Sequence, residues 1–170
     1  MGPSRIIIMR HAEKTGSDSD SGLSERGALR AAALSTAVIM AFGRIDYVIA
    51  AQSTEHSVRP LRTVEPLAIA LGTRVIQSWK TREYEQLAEA LRSKPEFDQR
   101  QVLVCWRHKS LQDLALALGA TDVEPWSETE YDRIWLLEYL TTVPAVRELR
   151  QELNGKELKF HDQTANPDMR

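Results

Sequence analysis

The sequence predicts an α/β protein, a three-layer α/β/α sandwich around a mainly parallel central sheet. Three observations carry this reading. Ile6-Ile7-Ile8-Met9 is a short apolar run, rich in β-branched side chains and bounded by arginines, the pattern of a strand buried on both faces. Val102-Leu103-Val104-Cys105 repeats the pattern. Between such runs lie segments with helical apolar spacing, and strands alternating with helices in one chain argue parallel pairing with helices on the faces.

Each element has its local reason. After the first strand, Thr15 to Gly22 is a Ser/Asp/Gly loop. Ser24 is placed to cap a helix that runs through Ala- and Leu-rich sequence to Phe42, with Gly43 as its stop. Asp46 to Ala51 reads as a second buried strand, and Gln52 to Val58 as a polar loop. Arg59-Pro60 opens a helix to about Leu71, ended by Gly72. Arg74-Val75-Ile76 suits a short edge strand. A helix over Tyr84 to Leu91 presents Leu87, Ala88 and Leu91 on one face. The Val102 strand follows, then a helix over Leu111 to Leu118 stopped by Gly119. Ile134 to Leu137 reads as the last strand. The expected division is one α/β domain over 1–153 and a polar, loosely held tail over 154–170.

Length and composition bound the function. The chain has 170 residues, 42% hydrophobic and 27% charged, with a formal net charge of −2. That suffices for one domain with a real core. Near-neutrality gives no global attraction to nucleic acid or an anionic membrane, so any anion site must be local. No apolar run approaches the roughly 20 residues that span a bilayer. Ile6–Met9 is too short for the apolar part of a signal peptide, and the single cysteine allows no intramolecular disulfide. A cytoplasmic protein is expected.

The chemistry gathers at the ends of two strands. Arg10-His11 follows the first apolar run and Arg107-His108 the second. Ligands of such sheets bind outside the carboxyl ends of the strands. If both strands lie in one parallel sheet, the two imidazoles face each other across a cleft beside a fixed cation. That combination suits oxyanion chemistry.

These residues resemble the histidine phosphatase superfamily, the phosphoglycerate-mutase-like proteins. Ile7-Ile8-Met9-Arg10-His11-Ala12-Glu13 is similar to the family's Arg-His-Gly opening, with Ala in place of Gly. Gly22-Leu23-Ser24-Glu25-Arg26-Gly27 resembles its helix start, Arg59 to Ala68 its second arginine motif with Thr63 four residues after Arg59, and Val102–His108 the strand that ends in its second histidine. The resemblance implies the phosphoglycerate-mutase-like fold and a metal-independent phosphatase without cofactor. It also implies roles: His11 as nucleophile forming a phosphohistidine, Arg10 and Arg59 as clamps on the phosphoryl oxygens, and His108 holding an oxygen opposite. The physics is compatible, because phosphoryl transfer is catalysed mainly by positioning and charge stabilisation. The His11 ring nitrogen remote from the attack should donate to a backbone carbonyl, fixing the tautomer.

The family's carboxylic acid donor has no obvious counterpart. Glu83 stands at the expected distance after Arg59 and is the favoured candidate, with Glu85 and Glu13 as alternatives. Arg107 either adds a cation to the site or points away, as strand neighbours do. His56 can rim the pocket, Arg62 belongs on the surface, and Cys105 and Trp106 belong in the core. The partner expected is a small phosphorylated substrate, phosphate, or a phospho-protein, with oligomeric state open. The competing readings are a weak or inactive relative that binds a phosphorylated ligand, and a nucleotide-binding α/β domain. The latter lacks any Gly-rich phosphate loop. Specificity is expected from Thr15–Gly22, Gln52–Val58 and the region after Gly119.

Overall fold

A computed structural model describes residues 2–17 and 19–164. Its seven strands are β1 (Arg5–Arg10), β2 (Tyr47–Ala50), β3 (Val75–Ile76), β4 (Gln101–Trp106), β5 (Arg133–Glu138), β6 (Ala145–Asn154) and β7 (Glu157–Asp162). The helices are α1 (Glu25–Phe42), α2 (Arg59–Ala70), α3 (Tyr84–Ser93) and α4 (Leu111–Ala117). One sheet holds every strand, in the order β3-β2-β4-β1-β5-β6-β7.

The sheet is mixed, which corrects the expectation of a mainly parallel one. β1, β2, β3 and β4 pair in parallel, as the alternating pattern predicts. Beyond β1 the sheet turns antiparallel, through β5, β6 and β7. Ile134 to Leu137 therefore does lie in a strand, but one antiparallel to β1 and followed by two more. The segment read as a loose tail from Asn154 begins as half of a hairpin. Gly155 takes φ 60° at the first position of a two-residue turn, a conformation glycine adopts freely. β7 then returns along β6, burying Leu158.

Side-chain alternation along β1 and β4 sends residues to opposite faces. Ile6, Ile8, Val102, Val104 and Trp106 pack with Leu87 and Leu91 of α3 and Leu111 and Leu114 of α4. Ile7, Met9, Leu103 and Cys105 pack with Leu34 and Val38 of α1 and Val64 and Leu67 of α2. Burying such side chains contributes roughly 1.5–3 kcal/mol each. Among the described residues no helix is long and apolar enough to cross a membrane.

Candidate active site

Parallel pairing of β1 with β4 sets Arg10 beside Trp106. The chain beyond each strand then leaves the sheet at one edge, and the His11 N–H still donates to the Trp106 carbonyl at 3.1 Å. His11 and His108 consequently line one cleft of about 310 Å³. Arg10, Lys14 and Arg59 share its wall with them. Thr81 and Arg82 enter from the loop before α3, and Arg107, Lys109 and Ser110 from the turn before α4. Among the described residues, no carboxylate lines it.

His11 is nearly buried, and its Nδ1 stands 2.8 Å from the Ala12 carbonyl. A carbonyl only accepts, so Nδ1 carries the proton and Nε2 keeps its lone pair. Burial pushes the imidazole pKa down to about 3, with further lowering from the charges of Arg10, Arg59 and His108 against the Ala12 hydrogen bond. The ring is neutral throughout the ordinary pH range. The pKa of His108 is also lowered, first by burial and then by Arg10. Its Nδ1 is buried without a hydrogen-bond partner.

Both arginines of the expected clamp are oriented by backbone carbonyls. Arg10 is 1% exposed, and its Nη1 donates to the carbonyls of Ser127 (3.2 Å), Glu128 (2.6 Å) and Glu130 (2.9 Å). The guanidinium stacks 3.9 Å from the Tyr131 ring centroid, a cation–π contact. Its Nε is buried without a partner, so the Nε/Nη2 edge is the one able to receive an oxyanion. Arg59 begins α2; its Nε donates to the Gly22 carbonyl at 2.9 Å and its Nη2 to that of Asp20.

Two motif residues explain themselves through contacts that sequence alone did not expose. The Thr63 hydroxyl donates to the Arg59 carbonyl at 2.8 Å and accepts from the Ala12 N–H at 2.9 Å. It thereby ties the loop carrying His11 to the first turn of α2. At the start of α1, Ser24 caps the Gly27 N–H at 3.1 Å, and a Cβ on Gly27 would overlap the Glu13 carbonyl oxygen. α1 can approach the loop carrying His11 this closely only with glycine there.

The carboxylates offered as proton donors stand elsewhere. Glu83 precedes α3 and accepts the Lys80 N–H at 2.8 Å, outside the lining of the cleft. Glu85 faces a separate groove with Trp79 and Glu89. Glu13 is bound by Arg30 at 2.7 Å and Arg26 at 3.2 Å. Burial would raise its pKa, but these hydrogen bonds and charges leave it lowered. Glu128, which the sequence did not single out, stands at the mouth, 3.9 Å from Lys14. Burial lowers the pKa of both Arg10 and His108, and the charge of Glu128 offsets part of that lowering.

Arg107, left open by the sequence, lines the cleft. His56 is exposed in the Thr54–Ser57 turn beside Glu55 and is not part of the lining. Arg62 pairs with Glu65 on the surface, and Cys105 and Trp106 are fully buried. Of the expected specificity loops, Gln52–Val58 contributes nothing to the lining. Asp20, Gly22 and residues 127–130 act instead by holding the arginines. Nothing in local composition marks Arg82 or Tyr131; only the tertiary fold brings them in.

No family model matches the chain, and no curated protein matches it. Solved structures do. The protein histidine phosphatase SixA complexed with tungstate is 16% identical at TM-score 0.54, over 92% of this chain and 94% of its own. A mycobacterial glucosyl-3-phosphoglycerate phosphatase, in complex with inorganic phosphate, is 13% identical at TM-score 0.54, over 95% and 96%. Phosphoglycerate mutase from Plasmodium falciparum is 14% identical at TM-score 0.55, over 90% and 91%. The chain has the fold of the histidine phosphatase superfamily, the class its Arg-His motifs resemble.

Proposed function

We propose that the chain is a phosphatase that passes a phosphoryl group to His11 Nε2 and then to water. One observation carries the reading: a buried imidazole, locked in the tautomer that frees Nε2, lines a cationic cleft between two carbonyl-held arginines and a second imidazole. Arg10, through its Nε/Nη2 edge, and Arg59 hold the equatorial oxygens, and charge spread over those oxygens is what such groups stabilise. His108 faces the same group and supplies a hydrogen bond to it. The reading assigns Glu83 no proton transfer, since its carboxylate is engaged with the Lys80 N–H. The tungstate and phosphate complexes of similarly folded proteins support an oxyanion as the first ligand to offer.

Purified protein is incubated with p-nitrophenyl phosphate and EDTA from pH 5 to 8, beside His11→Ala. Turnover reduced to background by that substitution, with radiolabelled phosphate trapped on the wild type alone, is the expected result. Equal turnover by the two proteins overturns the assignment.

A further inference from the structure

We propose that the substrate is a phosphoanhydride, a di- or polyphosphate whose terminal phosphoryl group passes to His11 while Arg82, Arg107 and Lys109 hold the phosphoryl group behind it. This rests on the reading of His11 as nucleophile. Two independent features of the cleft lead to it.

The first is an excess of unneutralised cations. Elsewhere the arginines are largely compensated: Arg5 pairs with Glu138, Arg30 with Glu13, Arg133 with Glu130, and Arg150 with Glu130, Asp132 and Glu148. In the cleft, Arg82, Arg107 and Lys109 have no ion pair or side-chain hydrogen bond among the described residues. Arg82 is held near by its own loop, because Trp106 Nε1 donates to the Thr81 carbonyl at 3.0 Å. Arg107 is half-buried, and burial together with the charge of Arg59 lowers its pKa. Arg82 and Lys109 are exposed at the rim and Arg107 is half-buried behind them, so an entering anion meets these cations without displacing an ion pair. Arg10, Arg59 and the two imidazoles already suffice for one phosphoryl dianion. The remaining cations call for anionic charge beyond it.

The second feature is that, among the described residues, no carboxylate lines the cleft, Glu128 standing outside its lining with its carboxylate toward Lys14. An alkoxide leaving group needs a proton, and a positioned general acid is worth some 10²–10⁴-fold in rate. A phosphate leaving group, with a second pKa near 6, departs without one. A sugar bisphosphate would satisfy the cations but still expel an alkoxide. A phosphohistidine would expel a stable imidazole but carries a single phosphoryl group. An anhydride satisfies both.

The step balances without an external acid or base. The His11 Nε2 lone pair forms the N–P bond to the terminal phosphorus, and the bond from that phosphorus to the bridging oxygen breaks. Its electron pair stays on the bridging oxygen, which leaves as part of a phosphate dianion. Nδ1 keeps its proton on the Ala12 carbonyl. Water then attacks the phosphorus, the N–P pair returns to Nε2, and both water hydrogens leave with dihydrogen phosphate.

Initial rates with EDTA are compared for pyrophosphate, an alkyl diphosphate, the matching alkyl monophosphate, phosphoimidazole and p-nitrophenyl phosphate. Wild type, His11→Ala, Arg82→Gln and Arg107→Gln are run in parallel, each checked for a wild-type urea transition. The expected kcat/KM for the alkyl diphosphate exceeds that for the monophosphate by about 100-fold or more, the scale of the acid it does without. Arg82→Gln and Arg107→Gln should each lower the ratio of diphosphate to p-nitrophenyl phosphate activity by about tenfold, chiefly through KM. Equal rates on the two alkyl substrates, phosphoimidazole as the best substrate, or an unmoved ratio in folded variants overturns the anhydride. Activity lost in His11→Ala on every substrate leaves the nucleophile standing whichever substrate wins. Activity retained there removes the nucleophile and the anhydride together.

Discussion

Thr63→Val tests the connection on which the candidate site depends. Valine nearly matches threonine in shape, so the perturbation is the hydroxyl. Thr63 and Ala12 are both fully buried. Without the hydroxyl, the Ala12 N–H, now 2.9 Å from its acceptor, is left unpaired away from water. An orphaned buried donor costs about 1–3 kcal/mol. The Arg59 carbonyl loses less, being also placed to accept within the helix. The expected destabilisation is about 2 kcal/mol, which lowers Tm by about 4–8 °C in a chain of this size. Urea unfolding should show a lower midpoint at unchanged slope. Activity on p-nitrophenyl phosphate should fall at concentrations of urea where the variant is still folded, because the His11 loop is no longer tied to the helix of Arg59. Thr63→Ser, which keeps the hydroxyl, should recover activity more fully than stability. A Val variant with wild-type midpoint and kcat/KM, or a Ser variant as inactive as Val, would refute the reasoning.

Other consequences follow from the same geometry. His11 has a folded pKa of about 3 against about 6.5 unfolded, so between those values the unfolded state binds more protons and stability falls as pH falls. From pH 6.5 to 4.5 this group alone should cost about 2–3 kcal/mol, and urea titrations should show a correspondingly shallower slope in His11→Gln. Gly27→Ala drives a methyl into the Glu13 carbonyl and should destabilise by about 1–3 kcal/mol; a melt matching wild type would mean that α1 can retreat. Glu83→Gln should leave kcat on p-nitrophenyl phosphate and on an alkyl monophosphate within about twofold, and a selective loss on the alkyl ester would restore Glu83 as acid.

The parallel half of the sheet was legible because its strands are buried on both faces and written in continuous apolar residues, as Ile6–Met9 and Val102–Cys105 are. Beyond β5, whose Ile134–Leu137 is also buried and apolar, the antiparallel half is half-solvated and written in charge. β6 alternates exposed and buried positions, with Leu149 and Gln151 inward. Its outward charges pair across strands, Arg147 reaching Glu138 of β5 and Asp162 of β7. Such a strand has too little apolar content to stand out from a polar tail. Its one sharp signal is Gly155, which with Lys156 forms the two-residue loop between paired Asn154 and Glu157. Within the site, the strand-end residues were readable from the repeated Arg-His ending. Tyr131, Arg82 and the carbonyls of 127–130 were not, because their contribution depends on where distant loops land.

Those carbonyls bear on how the cleft keeps its charge. An arginine in a protein is usually oriented by a carboxylate, which fixes it and neutralises it together. Here the neighbouring carboxylates are turned to other partners: Glu13 to Arg30, Glu130 to Arg133 and Arg150, and Glu128 toward Lys14. Arg10 and Arg59 are instead fixed by neutral carbonyl dipoles and by the face of Tyr131. Orientation is thereby obtained while the positive potential survives for an incoming oxyanion. A carboxylate added beside these carbonyl contacts would therefore hold the guanidinium as firmly and still weaken the site. Ser127→Asp, which adds a carboxylate to the loop whose carbonyls hold Arg10, should raise KM for an anionic substrate more than it lowers the melting temperature; a variant with unchanged KM would show that rigidity, rather than retained charge, is what these loops supply.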